Sequence, residues 1–357
     1  MARHTPRRLK VGVIGCGRVA QSIHLNILLS MAGVEVVALA EPDLQRRGEA
    51  SRRVPGAPSY ASYEHLLKLP DVEAVFICVP TALHAEVALA ALEHGKHIYL
   101  EKPLATNLDE ARSVLTAWRR AGVVGMIGFN YRFNPLFQTV RRHIQSGRLG
   151  TLIGIRSVFS TAARPMPLWK QTRQNGGGVL LDLAAHHVDL VHLFFGQEVR
   201  QIYAALRSHH SEDDSAALEL RLADGLVVQS FFSLCAVEED RFEIYGQAGK
   251  LAVDRYRSLD VEIIEAGREF SLLNRVGRGL RALSRGPYVF KKHFAVRNEP
   301  SYREAVRQFV SAVRGNAVAA PDLQDGYRCL EVICAAERSA HTGQTLLLSS
   351  SSCGPPR

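Results

Sequence analysis

Two carboxylates and three histidines sit inside an otherwise apolar run, GGGVLLDLAAHHVDLVHLFFG, at positions 176–196. A helix turns by about 100° per residue, so Asp182, His186 and Asp189, at steps of i, i+4 and i+7, share one narrow stripe, while His187 points away from it. On that geometry Asp182 and His186 can meet. Such a set can hold a metal ion, can work as an acid/base pair around a titrating imidazole, or can be the satisfied polar groups of a core helix. The run by itself leaves all three readings open.

A second chemical signal lies near the start of the chain. VGVIGCGRVA (11–20) places Gly15, Gly17 and Ala20 in G-x-G-x-x-A spacing, directly after a β-rich run and at the opening of a helical one. In that pattern the first glycine makes the tight turn and the second lets the main chain approach a pyrophosphate. The small third residue allows close helix packing, with the helix N-terminus facing the anion. Arg18 and Val19, between the last two, are candidate cofactor contacts. At the end of the next β-rich run stands LAEPD, whose first acidic residue is Glu41. A carboxylate there can accept the ribose hydroxyls of a dinucleotide and repels a 2′-phosphate, which favours NAD over NADP. Arg46 and Arg47, one helical turn on, oppose that preference, because either can neutralise a phosphate.

These groups need elements to carry them. Short β-rich runs at 9–15, 34–40, 72–79, 97–101 and 123–129 alternate with helical patterns at 18–31, 43–53, 81–94 and 107–121. The last opens with Asn107 and Glu110 at capping-box spacing. Alternation of this kind predicts a doubly wound parallel sheet built from βαβ units, a Rossmann domain over 1–130. After about residue 150 the strands lengthen, at 151–161, 199–208, 215–237 and 240–256, and Asp224-Gly225 marks a hairpin between two alternating runs. The second domain, 131–347, is therefore α+β with an open, mainly antiparallel sheet. Helical segments at 301–315 and 325–343 close it and can pack back on the first domain; the tail 348–357 reads as disordered. The class is α/β overall.

At 357 residues, two domains of about 100–200 residues each are expected. With 46 % hydrophobic and 22 % charged residues the composition is that of an ordinary globular protein. No apolar run approaches the roughly 18 residues of a membrane span. The basic N-terminus, MARHTPRRLK, leads into a strand rather than a signal-peptide core, so a cytoplasmic location is expected. Six scattered cysteines with no C-x-x-C pair argue against a zinc ribbon, a redox motif or a disulfide scaffold. The net charge is +9, and seven basic residues with no acidic one lie between Arg275 and Arg297. No nucleic-acid motif accompanies them, so a nucleic-acid partner is not expected. Within 271–294, Leu272, Val276, Leu280 and Leu283 give an apolar face flanked by arginines. Such a helix can pack on the chain's own sheet or a neighbouring subunit, close over a phosphate-bearing substrate, or lie on an anionic membrane.

With EKP at 101–103 a family resemblance becomes specific. The chain resembles the glucose-fructose oxidoreductase/inositol dehydrogenase/rhizopine-catabolism (Gfo/Idh/MocA) family over nearly its full length. Five motifs carry the likeness in order: GVIGCGRVA, VPTALHAEVALAALEHGKHIYLEKPLA (79–105), GFNYRFNP (128–135), the 176–196 run, and DGYRCLEVICAAERSAHTGQ. The resemblance implies a Rossmann domain followed by an open antiparallel sheet, with cofactor and substrate held between the domains and the sheet mediating oligomers, here a homodimer or homotetramer. It makes Lys102 the catalytic lysine and puts Asp182 and His186 on the D-x-G-x-H positions, where the histidine is the acid/base and the aspartate its neighbour. Pro80, Thr81, His84, Glu101 and Trp169 become cofactor contacts, with Lys170 standing where many members have arginine. Asn130 and Arg132 become candidate substrate residues. Ala184 departs from the family's glycine, and its methyl can narrow the approach to His186.

The chemistry agrees with those roles. Oxidising a secondary alcohol needs a base for the hydroxyl proton, a cation for the developing alkoxide, and a nicotinamide to take the hydride. No metal is required. The expected activity is therefore an NAD(P)-dependent dehydrogenase acting on a sugar, cyclitol or nucleotide-sugar hydroxyl, the substrate being a small molecule that can be phosphorylated or nucleotide-linked. A glycoside hydrolase of the same fold that oxidises and re-reduces its sugar, and a non-catalytic dinucleotide-binding regulator, are the alternatives.

Overall fold

In a computed structural model of the chain, residues 7–267 and 300–348 are described. The basic segment around 271–294 and the tail past residue 348 lie outside them. The chain divides into two units. Of the described residues, the first holds 7–133, 174–176 and 300–330, and the second 134–173, 177–267 and 331–348.

The first unit is built on a parallel sheet. Its strands are β1 (Leu9–Ile14), β2 (Val34–Ala40), β3 (Ser59–Tyr60), β4 (Ala74–Ile77), β5 (His97–Leu100) and β6 (Gly125–Ile127), in the spatial order β3-β2-β1-β4-β5-β6. The order reverses at β1, and in such sheets ligands bind outside the carboxyl ends of the strands at that switch point. β1 and β4 are buried nearly throughout, as strands covered by helices on both faces must be. β3, two residues long, is too short to leave a periodic signal.

Helices α1 (Leu25–Leu29), α2 (Leu44–Arg53), α3 (Tyr63–Leu67), α4 (His84–Glu93) and α5 (Leu108–Ala121) fill the crossovers. At α5 the cap is displaced by one residue from the expected box. Asn107 Oδ1 accepts from the amides of Asp109 and Glu110, but the Glu110 carboxylate reaches back to the amide of Thr106. A later helix, α8 (Pro300–Val313), joins this core, burying Ala305, Val306, Phe309 and Val310. The Phe309 ring lies 5.5 Å from Phe76 and 5.7 Å from Tyr99, centroid to centroid. The stretch expected to form the second domain thus contributes 131–133, 174–176 and 300–330 to the first unit.

The second unit carries an eight-stranded sheet. Its strands are β7 (Leu152–Ser160), β8 (Val199–Arg207), β9 (Ser215–Leu222), β10 (Val227–Ser233), β11 (Glu239–Gly246), β12 (Gly249–Asp254), β13 (Glu262–Glu265) and β14 (Leu346–Leu347), in the order β13-β12-β11-β7-β10-β9-β8-β14. Every pairing is antiparallel except β10 with β7, so the sheet is mixed and mostly antiparallel. Strict alternation along β9, in at Ala216, Leu218 and Leu220 and out at Ala217, Glu219 and Arg221, is the pattern of a strand with one covered face. On that face pack α6 (Pro135–Gln145) and α7 (Ala185–Phe195), where Phe137 and Phe194 meet Phe242 of β11. The last helix, α9 (Leu323–Thr342), begins in the first unit and ends in the second. None of the described helices is long and apolar enough to cross a membrane.

Candidate active site

In the first unit, β1 delivers the chain into the glycine loop. Gly15 has φ +83°, and a Cβ there would sit 2.7 Å from the carbonyl carbon and oxygen of Cys78, so neither the conformation nor the space admits a side chain. A Cβ on Gly17 would meet nothing within 4 Å, which leaves its main chain open for a phosphate to approach. The loop therefore fits a dinucleotide, its main chain open at Gly17 beside the exposed Arg18 and Val19. The helix that follows opens with a π-helical turn, Ala20–His24, before α1. The wider i→i+5 winding interrupts the regular helix expected over 18–31.

Glu41, at the end of β2, is buried. Its Oε2 accepts from the amide of Cys16 at 2.7 Å, inside the glycine loop, and its Oε1 accepts from the amide of Asp43 at 3.1 Å, with Arg46 Nε at 3.5 Å. Arg47 is occupied elsewhere, donating to the carbonyls of Glu41 and Pro42. Burial, reinforced by the Glu41 charge, pushes the Cys16 thiol up to about 12, so it stays protonated. The bond from Glu41 to the loop is a feature the motif does not announce.

The carboxyl end of β5 runs into Glu101, Lys102 and Pro103. His24, fully buried in the π-helical turn, meets Glu101 Oε1 through Nε2 at 2.5 Å. Its ring lies among those of Phe76, Tyr99 and Tyr302. His84 is buried too, with Nδ1 2.6 Å from the Pro103 carbonyl and Nε2 3.1 Å from the Val79 carbonyl. Burial lowers its pKa by more than the two carbonyls raise it. Thr81 is buried against Gly176, while Pro80 is half-buried. Asn130 is fully buried and donates to Ser301 Oγ at 2.9 Å, and Arg132 pairs with Asp325 at 3.2 Å. Both side chains, the candidate substrate residues, thus bond within their own unit.

In the second unit, a Cβ on Gly177 would lie 2.2 Å from the Lys170 carbonyl, so the 168–171 turn passes directly over the glycines that precede the acidic helix. That approach sets Lys170 Nζ 2.9 Å from Asp182 Oδ2, with the Trp169 ring 5.5 Å from the same ammonium. The helix opens with a second π-helical segment, Leu180–Ala184, continued by α7. Asp182 lies in the π part and His186 in the α part, so the spacing rule of a regular helix does not carry across the pair. The Ala184 methyl is fully buried. His186 is 7 % exposed, beside the Phe159 ring, and Asp189 is buried.

His187, which the stripe argument sets aside, carries the most developed network. Its Nε2 is 3.0 Å from Asp240 Oδ1, and Arg255 Nε donates to Asp240 Oδ2 at 2.5 Å. Burial pushes the Asp240 carboxyl up, but Arg255 and His187 together outweigh it and hold it below the usual carboxylate range. Among the described residues no group of three or more His, Cys, Asp or Glu side chains is arranged to hold a metal ion. Lys102 lies in the first unit, Asp182 and His186 in the second.

Known proteins repeat this organisation. Residues 9–129 match the NAD-binding Rossmann fold of an oxidoreductase family, and residues 137–252 match that family's C-terminal domain. The chain is 30 % identical over 354 residues to the uncharacterized oxidoreductase YrbE of Bacillus subtilis, covering 94 % of this chain and 96 % of that one. It is 26 % identical over 349 residues to a myo-inositol 2-dehydrogenase of Thermotoga maritima, covering 95 % and 98 %. The WlbA dehydrogenase of Bordetella pertussis, solved with NADH and UDP-GlcNAcA, shares the fold with a TM-score of 0.83 at 21 % identity, over 97 % of this chain and 99 % of that one. A glycine loop open for a dinucleotide on a Rossmann sheet, joined to a mixed sheet that matches the same family, makes this chain an NAD-binding dehydrogenase of the Gfo/Idh/MocA oxidoreductase family.

Proposed function

We propose that the protein oxidises or reduces a secondary hydroxyl of a sugar, cyclitol or nucleotide sugar with NAD, using Lys102 and His186 as catalytic groups. The observation that carries this reading is the placement of Lys102 directly after β5, at the carboxyl end of the same parallel sheet whose β1 ends in the open glycine loop. Relatives named for inositol and for nucleotide-sugar chemistry support the substrate class.

Bound nicotinamide supplies the hydride acceptor or donor. His186 takes the hydroxyl proton at an imidazole nitrogen, a role of about 10²–10⁴-fold in rate. The Lys102 ammonium stabilises the developing alkoxide, and Asp182, held by Lys170, orients the substrate or the imidazole. Gly15, Gly17, Arg18 and Val19 hold the pyrophosphate, with Pro80, Thr81 and Trp169 beside the cofactor. Glu41 favours NAD over NADP. The protein works in the cytoplasm as a homodimer or homotetramer; exposed Tyr203 and Phe231 on the outward face of the eight-stranded sheet supply apolar surface for a second copy.

The test is appearance of NADH absorbance with a panel of myo-inositol, scyllo-inositol, free sugars and UDP-sugars. Lys102→Ala and His186→Ala are each expected to lose at least ~100-fold in kcat while NADH still binds. Full activity in either variant overturns the assignment. Glycoside cleavage without net NADH, or tight NADH binding with neither activity, would replace the dehydrogenase reading altogether.

A further inference from the structure

Lys102 is flanked in sequence by two residues that are each tied down by a buried histidine. On one side stands Glu101, whose carboxylate meets His24 Nε2 at 2.5 Å. The other nitrogen of that ring, Nδ1, is buried with no hydrogen-bond partner among the described residues. A buried polar atom left unmade costs about 1–3 kcal/mol, so the ring is kept at some expense, and the polar partner it reaches is Glu101. The aromatic cage of Phe76, Tyr99 and Tyr302 fixes the imidazole plane, and Gly128 closes against the Glu101 side chain, where an added Cβ would come within 3.1 Å of Oε2. On the other side stands Pro103, whose carbonyl is 2.6 Å from His84 Nδ1. A neutral imidazole has one N–H to give; the shorter contact assigns it to Pro103, while the longer, 3.1 Å contact runs to Val79.

We propose that His24 and His84 are positioning residues for Lys102: two histidines, on different helical elements, hold the residues on either side of the lysine, one through the Glu101 carboxylate and the other through the Pro103 carbonyl. The inference rests on Lys102 being catalytic. It assigns His84, named above as a cofactor contact, to the lysine instead. Displacing a catalytic group by about 1 Å can cost on the order of 10²-fold in rate, so holding the strand end is worth two buried imidazoles.

Four variants test it: His24→Phe and His84→Phe, which fill the space without a donor, and His24→Gln and His84→Gln, which keep an N–H. With myo-inositol, or whichever polyol of the panel turns over fastest, each Phe variant is expected to lose ~10-fold or more in kcat, with NADH affinity changed less than ~3-fold. The Gln variants should recover most of the loss. Independently of any substrate, amide hydrogen exchange across 101–106 should quicken by ~10-fold in the Phe variants, with the β4 amides unchanged. Loss of NADH affinity in step with kcat, or faster exchange throughout the unit, would make the histidines general supports of the fold and overturn the clamp. A fully active Lys102→Ala defeats the reading of the lysine. An inactive Lys102→Ala beside His variants with normal kcat and exchange defeats the clamp alone.

Discussion

The helices that follow the two glycine stretches begin alike and are held differently. Each opens with a π-helical turn, Ala20–His24 in the first unit and Leu180–Ala184 in the second, and each continues as an α-helix. Around the first, the glycine loop is held through its own main chain: the Cys16 amide donates to Glu41, and Gly15 lies against the Cys78 carbonyl. Around the second, the polar groups are held by side chains brought in from elsewhere: Lys170 for Asp182, and Asp240 with Arg255 for His187. A local motif fixes geometry that a reader of the sequence can recover; a side chain arriving through tertiary structure leaves no such trace.

The largest effect that can break this comparison lies at Asp240. Removing its charge leaves Arg255 and His187 facing each other in a buried site, and losing one partner of a buried charge network costs about 3–5 kcal/mol. Asp240→Asn is therefore expected to lower the denaturant midpoint strongly, with Asp240→Asn/Arg255→Met recovering part of it. The pH dependence has a defined sign. A carboxyl held below its unfolded value, about 3.9, adds stability that is complete above that pH and fades as pH falls through the folded value. Wild type should shed this increment only below about pH 4, and the Asn variant should have none to shed. Equal acid profiles would show that the network does not hold the helix.

Next in size comes a contrast inside the glycine loop. Gly15→Ala meets both a positive φ and the Cys78 main chain, so it should cost stability by about 1–3 kcal/mol as well as NADH binding. Gly17→Ala has free space around its methyl and should melt within ~0.5 kcal/mol of wild type, yet lose at least ~10-fold in NADH affinity. Normal binding by Gly17→Ala would deny that its main chain faces the phosphates.

The loop, the strand alternation and the Asp224-Gly225 hairpin were legible because each is a repeat or a spacing set by backbone geometry. Lys102, Asp182 and His186 stood out through family likeness together with their chemistry. His24, the Lys170–Asp182 pair and the His187 network were not legible. His24 sits where a regular helix was expected, and its partner is 77 residues away. The Asp182–His186 stripe presumed an α-helix across residues the protein winds as π.

Glu41 offers a smaller test, since it belongs to both descriptions. If it acts only by repelling a 2′-phosphate, Glu41→Ala should bind NADPH better than wild type. Because its Oε2 holds the Cys16 amide, Glu41→Ala is instead expected to weaken both cofactors, NADH by about 1–3 kcal/mol and NADPH by less, measured by fluorescence titration. Glu41→Gln keeps an acceptor for that amide without the charge. It should hold the loop and move the ratio of the two affinities toward NADPH.

The smallest expected change in stability, and the finest probe of the second region, is at Lys170. Lys170 and Asp182 are each partly exposed, so their pairing is worth about 0.2–1 kcal/mol and Lys170→Met should melt nearly as wild type. Its kinetic effect should be larger. If Asp182 is oriented from outside its own helix, losing the ammonium lets the carboxylate swing, and kcat falls several-fold while NADH affinity holds. Lys170→Arg keeps the charge but spreads it over a longer, planar fork in place of the ammonium 2.9 Å from Asp182, so it should restore kcat only in part. Unchanged kcat in Lys170→Met would mean that the helix orients its own aspartate, and the contrast between main-chain and side-chain support would fail there.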